Sequence, residues 1–178
     1  MFMLFDHTDG MSKTDGMTAI TQGATMGWQD FYARRDALNA AVEQGELRTS
    51  TAFPDTSELL LALHHRWTQR LTARVELAEL DHDDHVDAVG TAWRRTATDN
   101  PGLRALLDVH AEDPALRPLA DAEHRMLARA AGLTEPGDSP AEEASIGAAF
   151  VALQRTAPDP SPRRNPVERL LRRLVPSA

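Results

Sequence analysis

The chain has 178 residues, 42% of them apolar, no cysteine and a formal net charge of −8. A chain of that length buries roughly 70% of its extended surface, which supports a core without staples, and the missing cysteine excludes disulfides, thiolate metal sites and cysteine nucleophily. The acidic balance argues against a body that coats nucleic acid, and the sequence carries neither an eighteen-residue apolar run nor a secretory signal, so it reads as a cytoplasmic protein without a membrane partner.

Residues 1–26 hold five of the six Met and three Gly with no hydrophobic period, and they read as a flexible leader. Helical spacing starts at Trp28 and continues through Phe31, Tyr32, Leu38, Ala41 and Val42, with Gly45 as a stop. Asp55 followed by Glu58 has the spacing of a capping box, opening the longest helix at about 56–80. On it Leu60, Leu63, Trp67, Leu71 and Val75 share one face. The run Asp81-His82-Asp83-Asp84-His85 is a polar break whose last Asp caps the next helix, with Val86, Val89 and Trp93 inward. Asn100-Pro101 ends that helix and starts another. After Asp113-Pro114 the spacing predicts a short turn, then a helix from 118 to about 131 closed by Gly132. Ser139-Pro140-Ala141-Glu142 opens a helix to about 156.

Residues 157–165 read as a Pro-rich linker, and Asn165-Pro166-Val167-Glu168 opens a last helix over 166–175. The basic charge gathers here. Residues 163–173 carry five Arg against Glu168, and removing that net +4 leaves −12 on residues 1–162. No stretch alternates with period two, so the prediction is an all-α bundle of six or seven helices, with residues 27–156 as the helical domain.

Seven His in a helical chain raise the question of a metal. A di-iron bundle needs a Glu-x-x-His pair on each of two facing helices, which places both ligands on one helix face; the sequence has one, Glu79-x-x-His82, running into the polar break, and the nearest match to a second is Asp121-x-x-His124. Positions four after His64, His65, His85 and His124 are Thr68, Gln69, Val89 and Ala128, which also breaks the His-x-x-x-His/Glu pattern. There is no Gly-x-Ser-x-Gly and no phosphate loop. The sequence therefore assigns no catalytic residue, no metal site and no cofactor.

What the helical period does turn inward is a set of polar and aromatic groups. These are His64, Trp67, Arg74, Trp93, His110 and Glu123, which read either as a structural network at the core's edge or as the lining of a small-ligand pocket. The basic end offers a second candidate. Arg163, Arg164, Arg169, Leu170, Arg172, Arg173 and Leu174 combine an apolar stripe with cationic flanks, as in a helix that docks on a protein partner or on its own acidic body.

The passage Phe53-Pro54-Asp55-Thr56-Ser57-Glu58-Leu59-Leu60, with Asn100-Pro101-Gly102-Leu103-Arg104 further on, resembles the ligand and dimerisation part of TetR-type regulators over about 53–133. Ser50 stands where that pattern has Tyr, and residues 28–51 are too short and acidic for its three-helix DNA-binding module. The resemblance implies a helical ligand domain without its DNA reader. Two functions follow as expectations: a non-enzymatic regulatory or protein-interaction module, with a small apolar ligand or self-association through helical faces, and a helical-bundle metalloprotein or enzyme using inward His and Glu.

Overall fold

The computed structural model describes residues 15–79 and 84–157, with side chains from residue 27 onward apart from that of Glu79. Within them every regular element is a helix: α1 (Asp15–Gln44), α2 (Thr56–Glu79), α3 (His85–Asp99), α4 (Pro101–Val109), α5 (Arg117–Ala130) and α6 (Pro140–Thr156). The all-α reading holds, with six helices among the described residues. The polar break at 81–83, the linker beyond 157 and the basic end with Arg163, Arg164, Arg169, Leu170, Arg172, Arg173 and Leu174 lie outside the described residues.

Local chemistry sets most helix ends. The Asp84 carboxylate accepts from the Asp87 amide at 3.1 Å and caps α3. Ser139 and Glu142 form a full capping box at the start of α6, each side chain accepting from the other's backbone amide. Gly132 has φ +67°, and the amides of Gly132 and Leu133 return to the carbonyls of Arg129 and Ala128, a Schellman closure of α5. Asn100 does more than expected. Its side-chain amide donates to the Thr96 carbonyl, closing α3, while its oxygen accepts from Arg70 on α2.

Four expectations are corrected. α1 begins at Asp15, ahead of Trp28 where the helical period starts; a helix already nucleated further along extends through a stretch with no apolar period, because propagation is far cheaper than nucleation. That makes α1, with 30 residues, longer than the 24-residue α2. Asp55 accepts from the Ser57 amide, an Asx turn, in place of the expected box partner. Trp28, Phe31, Tyr32 and Val86 are exposed, where the period alone placed them inward.

The chain divides into two compact units, the first ending at Leu59 and the second beginning at Leu60. In the first, Ser50 and Phe53 exchange backbone hydrogen bonds across a tight turn, and the Arg34 guanidinium lies 4.5 Å from the centre of the buried Phe53 ring. In the second, Leu60, Leu63, Trp67 and Leu71 of α2 pack into a core completed by Val89, Trp93, Leu103, Leu107, Leu127 and Phe150. The tightest approach is between α5 and α6. A Cβ on Gly147 would stand 1.9 Å from the carbonyl oxygen of His124, so only glycine lets the two backbones meet there. Near the other end of the pair, Arg129 clasps the Glu143 carboxylate with two hydrogen bonds of 2.9 and 2.5 Å.

Candidate functional site

The second unit buries an acid beside an aromatic and an imidazole. α5 carries Glu123 one turn from Leu127, on the face that packs inward, and α2 carries His64 and Trp67 one turn apart on its own inward face. The indole Nε1 of Trp67 donates to both Glu123 oxygens at 3.0 Å. His64 Nε2 lies 3.4 Å from Glu123 Oε2, and its Nδ1 faces the Thr68 hydroxyl at 3.3 Å. His64 and Glu123 are each about 7% exposed and Trp67 is fully buried.

Burial alone would push the Glu123 carboxyl up. The hydrogen bonds from His64 and Trp67, with the charges of His64 and Arg104, outweigh it and hold the group below the usual carboxylate range. The carboxylate is thus ionised at neutral pH inside the fold. On the next residue the balance goes the other way. Burial pushes the His124 imidazole down, against the pull of Glu123 and Asp121 and with the repulsion of Arg155 and Arg104.

A second layer fixes the aromatic. Trp67 and Trp93 meet edge to face with ring centres 6.3 Å apart. The Arg104 guanidinium lies 4.8 Å from the Trp67 ring centre, and that of Arg155 lies 6.0 Å from the Trp93 ring centre. One acid holds both cations: Asp108 accepts from Arg104 at 2.8 Å and from Arg155 at 2.7 Å. The result is a stack in which Asp108 seats two arginines against two tryptophans, and Trp67 donates its one N–H to Glu123.

A cavity of about 170 Å³ opens beside this acid, between α2 and α5. His64, His65, Thr68 and Thr72 line it from α2, and Leu119, Ala122, Glu123 and Met126 from α5. A wider depression continues along the same two helices, past Thr72 and Met126 to Val75, Glu76, Arg129 and Ala130.

Of the six residues expected at a pocket, the structure brings His64, Trp67 and Glu123 into direct contact, and Trp93 stands behind Trp67. The other two lie elsewhere. Arg74 is partly exposed and pairs with Asp99, because its position on α2 faces the end of α3 and not α5. His110 is the half-exposed C-cap of α4, where its backbone has left the helical path that would have carried it inward. The expectation missed His65, Thr68, Thr72, Leu119, Ala122 and Met126. Thr68 and Thr72 follow His64 at four and eight residues, and Leu119 and Met126 flank Glu123 at minus four and plus three, so the helical spacing already placed them beside the site. Among the described residues no group of three or more His, Asp or Glu is arranged to hold a metal ion, and no helix is long and apolar enough to cross a membrane.

Comparison with known protein families, with curated proteins and with solved structures gives no match.

Proposed function

We propose that this chain is a non-enzymatic regulatory module that binds a small, largely apolar molecule in the α2–α5 cavity. The observation that carries the reading is the juxtaposition of that cavity with an ionised carboxylate that Trp67 and His64 hold in place. A structural network alone needs no space beside it. Here the walls of Leu119, Ala122 and Met126 supply apolar surface, and Glu123 supplies one oriented polar contact, the usual division of labour in a ligand site. The size sets the scale of the ligand, since an apolar cavity of roughly 150 Å³ is enough to take benzene. Occupancy would bear directly on the α2–α5 packing, which gives a bound molecule a route to the faces a partner protein sees.

The resemblance to helical ligand domains over 53–133 supports the same reading. The metalloprotein alternative has less to stand on, because the inward imidazole and carboxylate satisfy each other and lack a third ligand among the described residues.

The test uses the full chain and toluene. Toluene should raise the thermal midpoint saturably, by linkage to the folded state, and Ala122→Phe, which fills the cavity, should abolish the rise. A midpoint that neither toluene nor benzylamine, the same ring with a cationic arm, moves in the natural protein overturns the proposal.

A further inference from the structure

We infer that the ligand of this cavity is a compact hydrophobic amine, bound as its ammonium with the nitrogen on Glu123 and the apolar body against Leu119, Ala122 and Met126. The inference rests on the α2–α5 cavity being a ligand site, and adds what the ligand must carry.

The argument starts from the acceptor capacity of Glu123. A carboxylate takes about four hydrogen bonds. Trp67 shares a single N–H between the two oxygens, and His64 Nε2 reaches only Oε2, at 3.4 Å. Lone pairs therefore remain on an acid that borders the cavity. The neighbouring donors are already committed: Trp67 has one proton to give, and His64 is engaged by Glu123 at one nitrogen and Thr68 at the other. Neither turns towards a ligand without breaking a contact.

The charge of the site then selects the sign of the ligand. Two positive groups act on Glu123: His64, which meets only Oε2 and at 3.4 Å, and Arg104, which lies against Trp67 and is bound to Asp108, so that its charge is shared. An anion entering the cavity would meet an ionised carboxylate in apolar surroundings, where repulsion is weakly screened. A neutral hydrocarbon would gain the walls and leave the lone pairs unmet. An ammonium gains both, through charge-assisted hydrogen bonds at the acid and dispersion at the walls. The hydroxyls of Thr68 and Thr72, on the same wall as His64, are further acceptors for its remaining protons. Size completes the specification. A space of about 170 Å³ beside the acid seats one ring and a short arm, and a larger cation would have to run on into the depression past Thr72 and Met126.

Titration calorimetry on the full chain at neutral pH, with benzylamine, toluene and benzoate, separates the possibilities. The three probes share the ring and differ in the arm. Benzylamine should bind about tenfold or more tighter than toluene, the gain typical of a hydrogen bond to a charged group, and benzoate should not bind. Glu123→Gln keeps the shape and an acceptor for Trp67 while removing the charge; it should bring benzylamine down to the affinity of toluene and leave toluene unchanged. If toluene binds as tightly as benzylamine, if benzoate binds better, or if Glu123→Gln leaves the amine preference intact, the amine inference falls while the cavity remains a ligand site. If none of the three binds the natural protein, both fall together. Should Glu123→Gln fail to fold, the ranking of the three probes on the natural protein decides alone.

Discussion

The single N–H of Trp67 has two duties: it fills the core as an indole and it stabilises a buried charge. Trp67→Phe separates them, since most of the apolar volume stays and the donor goes. Removing one partner of a buried, charged hydrogen bond costs about 1.5–3 kcal/mol. Chemical denaturation should therefore show Trp67→Phe destabilised by about that amount, and a change within 0.5 kcal/mol, roughly the scale of surface substitutions, would mean that His64 alone secures Glu123. The acid itself makes a pH prediction. Its folded-state carboxyl lies below the usual range, so its stabilising contribution is fully present above that range and is lost as pH falls through the folded value. Glu142, bonded to Ser139, and Glu143, bonded to Arg129, are shifted the same way and lose stability over the same acid window. Denaturation midpoints measured downward from about pH 5 should fall, and Glu123→Gln should flatten part of that slope without removing it. A slope unchanged by Glu123→Gln would show that this acid has an ordinary affinity for its proton.

Helix ends and inward faces were largely legible before the structure, because capping and turn chemistry is local. Ser139 with Glu142, Asp84 and Gly132 carry their signals within a few residues, and each stands where that signal puts it. His64, Trp67 and Glu123 were also legible as inward residues, since burial follows the helical period. What the period does not carry is which inward faces meet. Arg74 and His110 share the signal and go elsewhere, and the double use of Asp108 by Arg104 and Arg155 joins residues 47 apart in sequence. The same limit hid Gly147, which reads as a weak point in a helix and is in fact the contact that sets the α5–α6 distance. Two alanine substitutions expose the difference. Gly147→Ala drives a methyl into the His124 backbone, which cannot swing aside; overpacking costs 1–3 kcal/mol where side chains can adjust, so about 3 kcal/mol or more is expected here. Gly90→Ala meets only the end of the Gln154 side chain, at 2.6 Å, and its clash is offset by up to about 1 kcal/mol of helix propensity. Equal effects in thermal denaturation would mean that α5 and α6 separate without cost.

Across the whole molecule the two units differ in how their helices are supported. In α2, α5 and α6 the inward faces are buried, and opening any of them exposes core. The stretch 27–36 of α1 is exposed on every side, with Trp28 at 61%, Phe31 at 56% and Tyr32 at 45%; burial on this helix is reached only at Ala41. Apart from the Arg34 guanidinium on the Phe53 ring, what holds those turns among the described residues is local. Trp28 meets Phe31 edge to face and stacks on Tyr32, at i+3 and i+4, and such pairs contribute about 0.2–0.5 kcal/mol each. A folded core is held by about 5–15 kcal/mol, so local pairs lose the comparison by an order of magnitude. Amide hydrogen exchange should therefore show residues 29–36 opening at free energies far below those of α2 around Leu63 and Trp67, which should exchange close to the global unfolding limit. Protection of 29–36 equal to that of α2 would mean that the aromatic face is covered in solution. A dilution series would then tell a second copy from a contact within the chain, since only the former protection fades as the protein is diluted.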